Sequence, residues 1–198
     1  MKKNYLILVF ILILSLNVNI FADNDRSNGN IISDSLPFLH FIKEKICGKC
    51  YSVIVKDTIL YAGIGNKLVV YNVADKSNPQ MLNSIDLIAY SIRIKDNYLF
   101  TAGNNISIID ISNPANPVIS SSINDYCNDI ILSGNYLYAL SYGLSYKIRL
   151  YNIEDVNNPY SISQCNLSYE PKTFSKSKKC LYIMYDHSVS VVDVSDSL

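Results

Sequence analysis

Charge is scarce in this sequence, and the charge that is present cancels. Lysine and arginine together number 17, aspartate and glutamate together number 17, and only 17% of the residues are charged. A protein that binds nucleic acid or an anionic membrane surface carries a basic patch or stripe. The composition therefore indicates no nucleic-acid partner and no electrostatic attachment to a membrane.

Motifs for covalent chemistry are also missing. The sequence has no Gly-x-Ser-x-Gly motif, which positions the nucleophile of many hydrolases. Its stretch AGIGNK (62–67) lacks the spacing of both nucleotide-binding fingerprints. The two histidines, His40 and His187, are expected to be exposed or satisfied by hydrogen bonds. We therefore predict no catalytic, cofactor-binding or metal-binding residue, and we expect the protein not to be an enzyme.

An apolar run near the N-terminus is too short to span a bilayer. It covers residues 5–16, about a dozen residues against the roughly 20 that a membrane helix needs. Two lysines precede the run, and Ala22 follows before acidic and small residues. This order is typical of a secretory signal peptide at residues 1–22, cleaved after Ala22. We expect a flexible leader at 23–36 and an extracytoplasmic protein (periplasmic, cell-surface or secreted) without stable membrane insertion.

A sequence segment of about a dozen residues occurs in four similar copies along the chain. The copies align on Asn72, Asp110, Asn152 and Asp193, at steps of 38, 42 and 41 residues. They read KLVVYNVADKSNP (67–79), NISIIDISNPANP (105–117), KIRLYNIEDVNNP (147–159) and SVSVVDVSDSL (188–198). A fixed period near 40 residues is the mark of a repeat architecture.

Each repeat contains four short runs of β-branched, aliphatic and aromatic residues, separated by turn residues. In the second repeat they are YSIRI (90–94), YLFTAG (98–103), ISIIDI (106–111) and VISSSI (118–123). No helical period is present. Units of four strands and roughly 40–45 residues are the blades of β-propellers. The fold is therefore predicted to be all-β, with about four four-stranded blades in residues 37–198.

The third run of each repeat predicts how the blade is built. It is apolar on both faces, as expected if each blade is sandwiched between its neighbours. Its Asp or Asn is predicted to bond backbone groups near the turn that follows. Pro79, Pro117 and Pro159 then fix φ and remove a hydrogen-bond donor, so the chain turns back into the fourth run.

The fourth repeat reaches Leu198 where its fourth run would begin. Residues 38–45 precede the first repeat and belong to no repeat of their own, so they are a candidate for that strand. Pairing there would close a ring of four blades and bury the edge strands. The alternative is that the chain is a piece of a larger propeller.

The second repeat carries a family resemblance. YLFTAGNNISIIDISNPANPVI (98–119) resembles the LVIVD repeat, a β-propeller-like repeat of exported and surface proteins of bacteria and archaea. The resemblance covers residues 51–198 but weakens in the first and third repeats, where Asn72 and Asn152 replace Asp, and in the fourth. It implies an exported propeller without an established reaction, and it supplies no catalytic residues. WD40 and quinone-binding propellers fit less well, because the sequence has no tryptophan.

Five cysteines are an odd number for a protein outside the cytoplasm, where cysteines tend to pair. Cys47 and Cys50 form the motif CGKC, a candidate structural disulfide or a pair of inert thiols. A metal site and a redox pair are the alternatives, although a redox pair requires a helix N-terminus and the neighbouring runs are strands. Cys50 and Cys127 fall at equivalent repeat positions. This predicts two small buried residues, with a thiol pair or a metal site as the alternative.

Tyrosine is abundant, with sixteen residues. Tyr142 and Tyr146 lie in SYGLSY (141–146), which lengthens one hairpin loop. Exposed loop tyrosines supply a large contact area at low entropic cost. We therefore predict a candidate contact loop at Tyr142 and Tyr146. The other tyrosines of the second and third repeats, Tyr90, Tyr98, Tyr126, Tyr136 and Tyr138, are mostly expected to pack between blades.

These observations favour an exported, non-enzymatic module that presents loops to a macromolecular partner, expected to be a protein. One rival is a propeller that holds a metal or small ligand at a channel mouth through Cys47, Cys50 and His40. Another is a truncated fragment of a larger propeller. Four acids near the third-run turns are interpreted as solvated turn residues rather than as a calcium site; they are Asp75, Asp110, Asp155 and Asp193.

Overall fold

The computed structural model describes residues 49–141 and 145–195 of the chain. The predicted signal peptide, the leader and the candidate closing strand at 38–45 lie outside the described residues. So do Cys47, His40 and Tyr142. Within the described ranges, no helix is long and apolar enough to cross a membrane.

The described chain folds into fifteen β-strands in four antiparallel sheets, which we call blades 1 to 4. Blade 1 contains β1 (Cys50–Lys56), β2 (Ile59–Ile64), β3 (Lys67–Asn72) and β4 (Gln80–Asp86). Blade 2 contains β5 (Ser91–Lys95), β6 (Tyr98–Ala102), β7 (Ile106–Asp110) and β8 (Val118–Ile123). Blade 3 contains β9 (Cys127–Ser133), β10 (Tyr136–Ser141), β11 (Lys147–Asn152) and β12 (Tyr160–Asn166), and blade 4 contains β13 (Thr173–Ser177), β14 (Cys180–Met184) and β15 (Val189–Asp193). Each sheet follows chain order, so each blade is an up-and-down meander. The predicted all-β repeat fold is confirmed, with three strands in the described part of blade 4.

A two-residue turn joins the first and second strands of every blade. The first turn residue has a positive φ in each case: 55° at Asp57, 53° at Asp96, 59° at Gly134 and 48° at Lys178. Two-residue turns of this hand match the right-handed twist of the paired strands. The repeat is therefore reproduced in the backbone, even where the turn residue changes.

The Asp or Asn at the end of each third strand bonds the turn that follows, as predicted. Asn72, Asp110, Asn152 and Asp193 each accept a hydrogen bond from the backbone N–H two residues later, at 2.8–2.9 Å. The prolines stand immediately before β4, β8 and β12. Side-chain acceptors and prolines together end the third strand and return the chain antiparallel to it.

The third and fourth strands pair with the same irregularity in blades 1, 2 and 3. The register shifts between Val70 and Tyr71, between Ile108 and Ile109, and between Leu150 and Tyr151. Such a bulge leaves one residue of the fourth strand unpaired and increases the local twist. The outer edges of these three blades therefore twist alike.

Three apolar clusters join consecutive blades. Between blades 1 and 2, Tyr61 and Val70 pack against Leu99 and Ile109. The other two clusters repeat this plan between blades 2 and 3 and between blades 3 and 4. The first strands β1, β5, β9 and β13 contact one another in turn, which places them on the inner side of the array.

The end blades depart from the expectation that every blade is sandwiched. The third strands β3, β7 and β11 are largely buried, as predicted. In β15, however, Val189 and Val191 are exposed, so the prediction is wrong for this strand. The physical reason is that no described residue covers the face of blade 4 that points away from blade 3. No apolar cluster of the described residues joins blade 4 to blade 1.

Candidate binding surface

The meander gives the array two chemically different ends. The connections from a fourth strand to the next first strand lie at one end, together with the loops between second and third strands. Six described tyrosines belong to this end, which we call the tyrosine end: Tyr51, Tyr90, Tyr126, Tyr146, Tyr169 and Tyr185. The opposite end carries the first-to-second turns and the proline-containing loops. Blades 1, 3 and 4 and each of the three blade connections therefore contribute at least one tyrosine to the tyrosine end.

Three of these tyrosines form a row across blades 1 to 3. The rings of Tyr51 and Tyr90 meet edge to face with centroids 4.9 Å apart, and those of Tyr90 and Tyr126 with centroids 6.3 Å apart. The ammonium of Lys49 lies 4.9 Å from the Tyr51 ring centroid. Burial and the hydrogen bond with Tyr126 raise the pKa of Tyr90, so its phenol stays neutral. The row is a continuous, uncharged aromatic surface beside one cation.

The predicted contact loop lies at the same end. Tyr142 is outside the described residues, and Tyr146 is half-buried, with its backbone oxygen accepting a hydrogen bond from the Leu167 N–H at 2.8 Å. Tyr169, in the connection from blade 3 to blade 4, is 70% exposed, and Tyr126 is 40% exposed. The most accessible described tyrosines of this end are therefore in the blade connections, not at Tyr146.

The remaining tyrosines singled out from the sequence do not reach the tyrosine end. Tyr98 and Tyr136 begin the second strands of blades 2 and 3, at the opposite end. Tyr138 is buried in the cluster between blades 3 and 4. These three side chains serve the blades themselves.

A buried carboxylate anchors the connection that carries Tyr126. Asp125 accepts hydrogen bonds from the Ser141 hydroxyl at 2.6 Å, the Tyr151 hydroxyl at 2.8 Å and the Arg149 guanidinium at 2.8 Å. The guanidinium also neutralises its charge. Burial raises the pKa of Tyr151, so this phenol remains a donor at neutral pH. Charge-assisted bonds of this kind hold a loop rigid when every partner is satisfied.

A second carboxylate joins three blades on the inner side of the array. Asp129 of blade 3 accepts hydrogen bonds from Ser91 and Arg93 of blade 2, at 2.8 and 3.1 Å, and from Thr173 of blade 4 at 3.1 Å. In blade 1, the hydroxyl of Ser52 bonds the backbone oxygen of Ala89 at 2.8 Å. The inner strands are therefore tied together by side chains that already have protein partners.

Sequence reasoning missed both carboxylates, although the repeat contains a signal for one. The backbone N–H of Leu87 bonds the Ile85 oxygen, and that of Asp125 bonds the Ile123 oxygen, so Leu87 and Asp125 occupy equivalent positions. Leu87 packs against the core, whereas Asp125 places a charge at that point. Asp125 is a charged residue at a repeat position that is otherwise apolar, and Arg149 of β11 has the opposite charge. Together these two features of the sequence could have predicted the Asp125–Arg149 ion pair.

The cysteines do not assemble into the site considered from the sequence. The prediction of two small buried residues is confirmed for Cys127, which is fully buried, but is wrong for Cys50, which is exposed because it begins β1 at the edge of blade 1. Cys127 has a free thiol, so the two are not bonded to each other. Burial, with a smaller contribution from the nearby Asp125, raises the pKa of the Cys127 thiol. The candidate disulfide of Cys47 and Cys50 stays a prediction, because Cys47 lies outside the described residues.

The acids of the third-strand turns are separate from one another. Asp75, Asp110, Asp155 and Asp193 each accept bonds within their own turn. His187 is exposed in the second-to-third loop of blade 4. Within residues 49–141 and 145–195, no group of three or more His, Cys, Asp or Glu side chains is placed to hold a metal ion.

A groove of about 420 Å³ opens between the outer parts of blades 3 and 4. Ile162 and Cys165 of β12 line one wall, and Leu181 and Val192 of blade 4 line the other. At the corresponding points of the earlier blades, Asn83 and Ser121 bond backbone oxygens in the next blade's third-to-fourth loop.

Four antiparallel blades joined by apolar clusters define a β-propeller-type repeat protein. Residues 88–125, which contain all of blade 2, match the family model of the LVIVD repeat. The resemblance seen in the second repeat is thereby confirmed, and the chain carries an LVIVD repeat. No curated protein sequence matches the chain.

Solved structures support the fold at low identity. The chain is similar to the computationally designed Ika4 protein (TM-score 0.58, 11% identity), with 76% of this chain and 94% of Ika4 covered. It is also similar to putative 6-phosphogluconolactonases from Bacteroides fragilis (TM-score 0.62, 12% identity) and Bacteroides uniformis (TM-score 0.61, 14% identity). Each match covers 73% of this chain and 50% of the Bacteroides protein, so the chain spans about half of their length. At these identities the likeness concerns the fold alone.

Proposed function

We propose that this protein is an exported, non-enzymatic binding module that presents its tyrosine end to another macromolecule, most simply a protein. The observation that carries the proposal is the row of Tyr51, Tyr90 and Tyr126. The exposed Tyr169, whose ring meets that of Tyr185 with centroids 6.2 Å apart, belongs to the same end. Tyrosine is enriched at protein interfaces because one ring supplies apolar area and a hydrogen-bonding hydroxyl while losing little conformational entropy.

Rigidity of the supporting loops favours this role. Asp125 fixes the connection next to Tyr126 through three donors. The backbone N–H of Tyr90 bonds the Ala102 oxygen at 2.7 Å, which fixes the connection before blade 2. A surface that is ordered before binding loses less entropy when the partner arrives.

The chemistry of the buried acids favours binding over catalysis. Both oxygens of Asp125 and of Asp129 accept bonds from protein donors. A general acid or base has to exchange a proton with substrate, and these carboxylates are instead committed to holding blades and loops together. We therefore assign them structural roles.

Variants at the two ends of the array test the proposal. A tagged full chain is expressed in its source cells as wild type, as Tyr126→Ser/Tyr169→Ser, and as Tyr160→Ser. Tyr160 is the matched control because it is exposed but begins β12 at the opposite end. Co-purifying proteins are quantified by mass spectrometry.

We expect at least one protein to be retained by wild type and Tyr160→Ser and reduced about tenfold or more in the double variant. Such a loss is the usual effect of removing one or two interface hot-spot rings. An identical set of proteins for all three chains, or a loss that follows Tyr160 instead, would refute binding through the tyrosine end.

Export is tested separately by N-terminal sequencing of the chain in fractionated cells. We expect the extracytoplasmic fraction to contain a chain that starts at Asp23, after removal of the signal peptide. A chain found only in the cytoplasm with Met1 or Lys2 at its N-terminus would overturn this part of the proposal.

A further inference from the structure

Blades 1, 2 and 3 each present an apolar forward face to the next blade. Each face combines an aromatic residue of the second strand with two aliphatic residues of the third strand. The three sets are Tyr61 with Leu68 and Val70, Phe100 with Ile106 and Ile108, and Tyr138 with Ile148 and Leu150. None of these nine side chains is more than 9% exposed, because the following blade covers them.

Blade 4 keeps the same forward face without a cover. The equivalent residues are Tyr182, Val189 and Val191, which are 42%, 63% and 59% exposed. Met184 on the same face is 48% exposed. Tyr182 pairs across the sheet with Val191, and Met184 pairs with Val189, so the four side chains form one patch. The patch has the composition of an interblade contact, and no described residue fills it.

Blade 1 carries the complementary back face. In blades 2, 3 and 4, the first-strand residues Ile92, Ile130 and Phe174 pack backward against the preceding blade and are at most 5% exposed. The equivalent residue of blade 1 is Val53, which is 49% exposed, and Val55 two residues later is 51% exposed. Ala62 and Val69, which pair at the centre of the same face, are 2% and 7% exposed, so the exposed part of the back face is its first strand. The two ends of the array therefore carry apolar residues at positions that pack together in neighbouring blades.

We propose that the forward face of blade 4 binds the back face of blade 1 in a second copy of the chain, giving a head-to-tail dimer. The contact required is the one that already joins blades 1 to 2, 2 to 3 and 3 to 4. A head-to-tail contact either closes into a ring or continues as a filament. Two copies related by a twofold axis make the contact twice, which covers both apolar ends and closes a ring of eight blades.

The comparison with larger propellers supports the view that the four blades form part of a ring, which a second copy would complete. The four blades overlay about half of each Bacteroides propeller, with TM-scores of 0.62 and 0.61. In this arrangement the four blades follow part of a wider ring, and the missing arc begins and ends at the two exposed faces. A second copy offers both required faces at the correct polarity.

The first test is the mass of the full chain and of three variants, measured by native mass spectrometry and by light scattering after gel filtration. Val191→Asp places a charge in the forward face, and Val53→Asp places one in the back face. Ile119→Asp is the control, because Ile119 is an exposed aliphatic residue on the outer strand β8, away from both faces. We expect dimers for wild type and Ile119→Asp and monomers for the two face variants.

Mixing the two face variants tests the polarity of the contact. The Val53→Asp chain keeps an intact forward face, and the Val191→Asp chain keeps an intact back face. A head-to-tail contact therefore forms between them, and we expect heterodimers in the mixture although each variant alone is monomeric. Formation of the heterodimer also establishes that both variants are folded.

Each other outcome contradicts the proposal in a recognisable way. A monomeric wild type means that the two faces meet within one chain or bind something else. A dimer lost in Val191→Asp but retained in Val53→Asp means that two forward faces pair with each other. Monomers that do not associate on mixing, although circular dichroism finds them folded, exclude the head-to-tail contact.

Discussion

The aspartate side chains at and just after the ends of the third strands accept hydrogen bonds within the turns that follow, and they also make the free energy of unfolding depend on pH. Hydrogen bonds from Ser77, Ser112, Asn158 and Ser195, with those from nearby backbone N–H groups, lower the pKa values of Asp75, Asp110, Asp155 and Asp193 below 3.8. As pH falls, the unfolded chain binds protons on these groups before the folded chain does. The stabilisation is therefore fully present above the unfolded pKa and is lost as pH falls through the folded pKa values.

We expect replacement of these four aspartates by asparagine to flatten the acid limb of stability. Asparagine keeps the side-chain oxygen that accepts the turn hydrogen bond, but it does not titrate. The melting temperature of the fourfold variant should therefore fall less than that of wild type between about pH 5 and about pH 2. Parallel melting curves for the two proteins over this range would contradict the assigned role.

The thiols of Cys127, Cys165 and Cys180 should react very differently. Burial raises the pKa of Cys127, and its side chain is inaccessible, whereas Cys165 is exposed and Cys180 is half-buried. Only an accessible thiolate reacts readily with iodoacetamide. At about pH 8, we expect labelling of Cys165 first, then Cys180, and labelling of Cys127 only after unfolding. Peptide mass spectrometry measures the order, and equal rates for Cys127 and Cys165 would show that the inner cluster is not packed as described.

Residue patterns predicted the turn acceptors but not the ion pairs. Asn72 and Asp110 stand at a fixed place in the repeat, next to proline-containing turns, so their local role could be deduced from spacing alone. Asp125 lies in a blade connection and Arg149 in β11, while Arg93 and Asp129 belong to blades 2 and 3, so both pairings depend on three-dimensional packing. Contacts of that kind have no fixed sequence separation. The contact loop was predicted at Tyr142 and Tyr146 from loop length, whereas the exposure of Tyr126 and Tyr169 in the blade connections depends on how the blades are joined.

At the scale of elements, one connection determines how closely blades 1 and 2 approach. A side chain at Gly63 would collide with the backbone oxygen of Ala89, and one at Gly103 with that of Ile88. Gly63 in β2 and Gly103, directly after β6, therefore allow these two segments to lie against the backbone that links the two blades. The β-branched runs predicted these strands, but they contained no information about this close approach.

Substitution at the two glycines should separate the blades. We expect Gly63→Ala and Gly103→Ala to lower the free energy of unfolding by about 1–3 kcal/mol each, because the backbone has to shift to admit the methyl group. Ser122→Ala on the exposed face of β8 serves as the control, with little change expected. Urea unfolding followed by circular dichroism measures the difference. Glycine variants as stable as wild type would mean that the connection moves freely.

For the whole molecule, the period near 40 residues predicted the number and type of blades. It did so because each blade is a local meander whose strands are neighbours in sequence. The closure of the array was not predictable in the same way, since it depends on a contact between the first and last blades. The exposed faces of blades 1 and 4 are visible only once the strands are placed in three dimensions.

The measurement that tests the central claim most directly is hydrogen–deuterium exchange on the protein alone and in the complex recovered from its source cells. The claim is that the tyrosine end is the binding surface. We predict slower exchange on binding in the blade connections that carry Tyr90, Tyr126 and Tyr169, and no change in the two-residue turns at Asp57 and Asp96. Protection confined to the turns and proline-containing loops of the opposite end, with the blade connections unchanged, would contradict it.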